Sequence, residues 1–278
     1  VLNPLRLATA TLFVAIAACG GGGGGGTTAS TPPSSSAATR DIKAITSAHA
    51  GITYGVQISL PAGYAESTRR YPVVYIGDAE GRFVPLANIV EGQRRPVILV
   101  AIGNMGADRR WIDFTMPGAA AYYRFLTLEL LPMIDAAYRT DPAQRIYSGH
   151  SLGGEFTMYA LYLEQPNQRY FSAFISEEGS FWFDSDRRLQ SVLGAEPAGQ
   201  MERDMLARGR DLPVTLVMAG DSQGNGSLVS QLYEHITQRG YTSLRTTSLK
   251  YSLGHVPMDN PAFTDALAFV LGPPPTAQ

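Results

Sequence analysis

The sequence predicts an α/β domain, built on a mostly parallel, doubly wound sheet with helices on both faces and an antiparallel N-terminal edge. Three observations carry this. Short runs rich in β-branched and aromatic residues recur along the chain, several almost continuously apolar, as strands buried on both faces require. From the middle of the chain onward, segments with helical periodicity alternate with these runs. The first two strand-like runs leave no room for a helix between them, so they pair antiparallel. With 278 residues, 45% hydrophobic and 10% aromatic, the chain has enough apolar material for a sizeable core, which excludes wholesale disorder. A formal charge of -2 gives no footprint for nucleic-acid binding, and one cysteine excludes a disulfide scaffold or a thiolate zinc finger.

The elements follow in order. Asp41–Ala50 and Ile52–Leu60 form the antiparallel edge, and Tyr71–Ile76 and Pro96–Ile102 are the next strands. Ala119–Tyr138 is helical, and the short strand Arg145–Ser148 runs almost directly into a helix over Leu152–Glu164. Phe171–Ile175, a helix within Asp186–Arg208, Pro213–Ala219, a helix over Leu228–Arg239 and the strand Ser243–Tyr251 continue the alternation. A last helix, Ala262–Leu271, follows Pro261 and stops at Gly272-Pro273. No internal repeat is visible, so residues 40–272 read as one catalytic-sized domain, with 273–278 an exposed tail.

The front of the chain reads differently. Arg6 precedes an apolar run from Leu7 to Ala18, too short to span a bilayer and suited to a signal peptide over residues 1–18. Seven consecutive glycines, Gly20 to Gly26, exclude a packed helix continuing from it. Residues 19–39, uncharged and rich in Gly, Ser, Thr and Pro, form a flexible linker. Ile16-Ala17-Ala18-Cys19 resembles the lipobox of bacterial lipoproteins. That resemblance implies export, lipidation of Cys19 and anchoring to a bacterial membrane, on the periplasmic face or at the outer membrane, which Gly20 favours.

Two stretches match G-x-S-x-G, a pattern that lets a strained strand-to-helix turn project a serine hydroxyl above a sheet. Gly149-His150-Ser151-Leu152-Gly153 follows a strand and leads straight into a helix. Gly220-Asp221-Ser222-Gln223-Gly224 is followed by Asn225-Gly226, which delays any helix. Ser151 is therefore the candidate nucleophile, with the Leu152 amide at a helix N-terminus placed to receive an oxyanion. A serine needs a base, and there are four histidines. His49 precedes the elbow, His150 flanks the serine without pointing at its Oγ, and His235 lies on a helix whose apolar face is elsewhere. His255, in the loop after the last strand, is the expected base. Asp221, just after Pro213–Ala219, is the expected acid; Asp259 or no acid at all are the alternatives.

With these residues placed, the chain resembles the putative-esterase family that includes esterase D and enterochelin-type siderophore esterases. The resemblance covers most of Tyr71 to Gly272. It rests on Tyr71-Pro72-Val73-Val74-Tyr75-Ile76-Gly77-Asp78, on Ile102-Gly103-Asn104 with Arg110-Trp111-Ile112-Asp113-Phe114-Thr115, on the block from Arg124 to Ser151, and on Gly179-Ser180-Phe181-Trp182-Phe183-Asp184. It implies an α/β-hydrolase fold without a large lid, ester hydrolysis through an acyl-enzyme, and a second oxyanion donor near Asp78 or Ala79. Trp182 and Phe181 would wall a substrate pocket. Arg109 and Arg110 would either meet a polar or anionic substrate or form a solvated surface pair. The chain departs from the family at Ala79, where glycine is frequent, and at Glu177-Glu178, where small residues or proline are usual.

The expected partner is a small-molecule ester, with the membrane reached through the lipid anchor and no nucleic acid. No cofactor or metal is expected, since no His-x-x-x-His or similar spacing occurs. An acyltransferase on the same fold, or a ligand-binding surface lipoprotein without catalysis, are the rival readings.

Overall fold

The computed structural model describes residues 38–103, 109–181 and 198–276. Eight strands form one sheet: β1 (Thr39–Thr46), β2 (Thr53–Leu60), β3 (Tyr71–Ile76), β4 (Ile98–Gly103), β5 (Thr140–His150), β6 (Ala173–Glu177), β7 (Thr215–Asp221) and β8 (Arg245–Tyr251). Their spatial order is β1-β2-β4-β3-β5-β6-β7-β8. β1 pairs antiparallel with β2, and β2 antiparallel with β4; every other pairing is parallel. The antiparallel edge and the parallel centre are those the sequence predicts.

The helices are α1 (Ala79–Gly92), α2 (Arg110–Asp113), α3 (Gly118–Arg124), α4 (Leu131–Ala137), α5 (Leu152–Leu163), α6 (Ala198–Ala207), α7 (Gly226–Gln238) and α8 (Asp259–Leu271). Strand alternation sorts them into two layers. Val73, Tyr75, Leu216 and Met218 face a core built with α3, α5 and α7, whereas Val74, Ile76 and Val217 face the smaller core under α1 and α8. Both faces are covered, which is why the central strands carry almost no polar residues.

Two local features differ from the sequence reading. The sequence reading names no helix between Tyr71–Ile76 and Pro96–Ile102, and α1 contains Gly81 and Pro85, both unfavourable inside a helix. Its apolar face is nevertheless regular, with Phe83, Leu86, Ala87 and Val90 buried at helical spacing, and burial outweighs those penalties. The single helix expected over Ala119–Tyr138 is divided. A π-helical segment, Phe125–Leu130, separates α3 from α4, and Pro132 falls at the start of α4, where a proline is tolerated.

The chain leaves β3 for β4 on one side and reaches β5 on the other, so β3 and β5 flank the point where the strand order reverses. Open α/β sheets place their sites outside the carboxyl ends of the strands at such a point. Here those ends deliver Asp78 and Ser151.

Phe125 is fully buried and stacks on Tyr54, with ring centroids 4.2 Å apart and an 18° interplanar angle. Phe125→Ala should cost about 3–5 kcal/mol of stability, read as a lowered urea midpoint with an unchanged slope. A loss below about 1 kcal/mol would mean that the surrounding aromatic cluster collapses into the space.

Candidate active site

Ser151 stands between β5 and α5 with φ 62° and ψ −120°, a backbone conformation that non-glycine residues rarely adopt. A side chain at Gly149 would collide with the backbone of Gly153, so the turn closes only around glycine. The Ser151 N–H donates to Glu177 O (2.9 Å), and the Ser151 carbonyl accepts from Ser180 N–H (3.0 Å). The hydroxyl Oγ lies 3.3 Å from Ser180 Oγ. In this conformation Ser151 and His255 make no direct hydrogen bond, a contact that in many enzymes tightens only when substrate is bound.

His255 follows β8, and its Nδ1 lies 2.9 Å from Glu178 Oε2. The acid beside His255 is thus Glu178, at the end of β6, and not Asp221. Asp221 is buried and turned the other way. Its Oδ2 accepts from Leu253 N–H (2.6 Å) and its Oδ1 from Gln223 N–H (2.8 Å). It braces the loop that carries His255 without reaching the imidazole. Glu178 has the stronger claim for a physical reason. It is fully buried, and Asp221 N–H (2.5 Å) and Asn225 N–H (2.8 Å) both donate to its carboxylate. Burial pushes its pKa up, but His255 and these amides outweigh burial and hold it below the usual value. A side chain at Gly224 would run into this carboxylate, so the turn after β7 is shaped to admit it. The only signal in the sequence was the replacement of small residues by Glu177-Glu178.

Leu152 and Ala79 are the first residues of α5 and α1, where backbone N–H groups lack helical partners and the dipole favours negative charge. The two helix ends converge: a side chain added at Gly153 would lie 3.6 Å from Asp78 Oδ2. Asp78, with φ 58°, is clamped by Arg110 through Nε (2.7 Å) and Nη2 (3.2 Å). Arg109 pairs with Asp113 (3.0 Å), so both arginines of the sequence reading are spent on carboxylates of the fold.

Beneath the rim lies a buried ionic cluster. Arg82 of α1 meets Glu177 Oε2 (2.6 Å) and both oxygens of Asp259 (2.8 and 2.9 Å), and approaches Ser148 Oγ (3.2 Å). Asp259, an alternative acid in the sequence reading, is therefore engaged by Arg82. A cleft of about 420 Å3 opens above the cluster between α1 and the His255 loop, lined by Asp78, Glu80, Arg110, His150, Val256 and Asp259 among others.

The remaining sequence-predicted residues fall elsewhere. Phe181 is fully buried in the larger core. Trp182 and Cys19 lie outside the described residues. Ser222 of the second G-x-S-x-G bonds Ser252 Oγ (3.1 Å) in an exposed turn. His49 is exposed, and His235, expected to face solvent, instead meets Glu202 of α6 at 2.8 Å. Among the described residues no group of three or more His, Cys, Asp and Glu could hold a metal ion.

A strained serine at the strand-to-helix turn of a mostly parallel sheet, with a histidine loop after the last strand, defines the α/β serine hydrolases. Residues 47–229 match the family model described as "Putative esterase", and the chain belongs to that family of carboxylic ester hydrolases. It is 25% identical over 271 residues to the ferri-bacillibactin esterase BesA of Bacillus subtilis (strain 168), covering 84% of this chain and 90% of that protein. The fold is shared with the crystal structure of an IroE-like serine hydrolase from Shewanella oneidensis (TM-score 0.67, 23% identity, 82% of this chain and 78% of that one). It is shared equally with the siderophore hydrolase EstB from Aspergillus nidulans (TM-score 0.68, 18% identity, 83% and 95%).

The buried cluster generates a pH prediction. Burial, only partly offset by Arg82, pushes the Glu177 pKa up from 4.5 to about 8. A carboxyl raised in this way stabilises the fold fully below pH 4.5 and loses that contribution as pH rises through about 8. Glu177→Gln should therefore gain stability relative to the wild type between pH 5 and pH 8, as measured by urea unfolding at each pH. A difference that stays constant across this window would mean that Glu177 is ionised throughout.

Proposed function

We propose that this protein is a serine esterase that works through Ser151, His255 and Glu178 and an acyl-enzyme intermediate. The observation that supports it most directly is the bond from His255 Nδ1 to the buried Glu178 carboxylate, beside the strained Ser151. Glu178 lies between Glu177 and Ser180, the two residues that hold the Ser151 backbone.

In the reaction, His255 Nε2 takes the Ser151 proton as Oγ attacks the ester carbonyl. Glu178 fixes the ring with Nδ1 protonated and stabilises the imidazolium that forms. The N–H groups of Leu152 and Ala79 receive the oxyanion, each worth roughly 3 kcal/mol in the transition state. The tetrahedral adduct collapses, the alcohol leaves with the proton from His255, and water activated by the same ring releases the acid. Asp221 keeps the loop in place through the backbone of Leu253. The relatives named for siderophore hydrolysis make siderophore-type esters the first substrates to test. We further propose that residues 1–18 direct export and that lipidated Cys19 tethers the domain to a membrane through the Gly/Ser linker. No helix among the described residues is long and apolar enough to cross one.

Hydrolysis of p-nitrophenyl butyrate by the full chain, followed by a panel of siderophore esters, tests the reading. Ser151→Ala should abolish turnover and Ser222→Ala should leave it intact. Glu178→Gln should lower kcat by about 100-fold or more, because the amide favours the wrong imidazole tautomer. Asp221→Asn should show the smaller loss. The reverse order of these two would return the acid role to Asp221.

A further inference from the structure

His150 occupies the variable position of the elbow, where backbone geometry makes no demand on the side chain. Its place on β5 decides where it points. Ile146 belongs to the core under α1 and α8, and residues two and four further along a strand share that face. His150 thus projects toward α8 and the loop that precedes it, away from Ser151 Oγ. There its Nε2 lies 2.8 Å from the backbone oxygen of His255, and the two rings stand 4.7 Å apart at 48°. A carbonyl oxygen only accepts, so Nε2 carries the proton.

The loop depends on such contacts. Leu253 and Val256, which flank His255, are 51% and 70% exposed, and apolar burial anchors the loop only beyond them, at Met258. Around His255 itself the restraints are polar: Asp221 on the Leu253 amide, Glu178 on the His255 ring, Arg82 on Asp259, and His150 on the His255 carbonyl.

We propose that His150 is a positioning residue for the general base, its Nε2–H holding the His255 carbonyl so that the imidazole keeps its aim at Ser151. The proposal rests on the esterase reading above. Because His150 and Ser151 are adjacent, one rigid dipeptide sets both the nucleophile and the loop that carries the base. Burial lowers the His150 pKa, which keeps the ring neutral with a single N–H to donate.

The test compares His150→Leu, which removes the donor, with His150→Gln, which restores an N–H near the same place. Misplacement of a catalytic group by about 1 Å costs on the order of 100-fold. In the full chain, His150→Leu should lower kcat for p-nitrophenyl butyrate by about 10- to 100-fold with KM changed less than about twofold. His150→Gln should recover most of that loss. If His150→Leu does not fold, His150→Phe takes its place. Spectra of 15N-histidine-labelled protein give a readout independent of turnover. The His255 ring signals should shift in the donor-less variant and return in His150→Gln. Equal kcat in wild type and His150→Leu, equal losses in the two variants, or unmoved His255 signals would each overturn the proposal. A wild-type protein that hydrolyses no ester, but shows the expected shift and its reversal, would sink the esterase reading and leave the anchor standing.

Discussion

Three neighbouring strands, β3, β5 and β6, end in non-glycine residues forced to positive φ: Asp78 at 58°, Ser151 at 62° and Glu178 at 51°. Each such residue costs on the order of 1–3 kcal/mol and persists only where its surroundings over-determine it. The site depends on this shared constraint. Turning the backbone left-handed at one level of the sheet starts α1 at Ala79, lifts Ser151 Oγ above β5, and directs the Glu178 carboxylate toward His255. The surroundings that hold the strain are specific: the Arg110 clamp on Asp78, the rung from Ser151 N–H to Glu177 O, and the amides of Asp221 and Asn225 on Glu178.

The ionic cluster beneath serves the same end. Arg82 joins α1, β5, β6 and α8, the elements that carry the helix end at Ala79, the elbow, Glu178 and the segment after His255. One guanidinium against two carboxylates leaves a buried excess of negative charge. It falls on Glu177, whose pKa rises, while Asp259, doubly bonded to Arg82, stays below its usual value despite burial. Such a network is a poor source of net stability, since desolvation opposes the Coulomb gain. What it supplies is a fixed relation between four elements.

The carboxylate on the His255 ring and the brace of its loop are separate residues here. A carboxylate in the turn after β7 can reach either the imidazole or the backbone that carries it, and Asp221 takes the backbone. Glu178 then approaches His255 from β6, through a space that Gly224 keeps open. Both carboxylates are buried, and several donors hold each of them below its usual pKa despite burial.

The alternation of apolar runs and helical segments was enough to give the sheet, its antiparallel edge and the turn that carries Ser151, because these depend on local periodicity and on a short glycine-bounded motif. α1 was illegible, since Gly81 and Pro85 argue against a helix and only packing on the sheet overrides them. The contact of His235 with Glu202 was equally hidden, as it joins helices separated in sequence by a whole strand. Chain order pointed to the loop of His255 and to the turn of Asp221, but the direction in which a carboxylate faces is not a property of its neighbours in sequence. Two consecutive glutamates could be seen as unusual without showing which of them turns toward the histidine. That was decided by the end of the β5–β6 ladder, where Glu177 keeps the strand's direction and Glu178 leaves it. Local periodicity and the glycine-bounded turn were legible because they depend on neighbours along the chain; which residues of the rim meet was set by strand register and strained backbone, which join residues far apart in sequence.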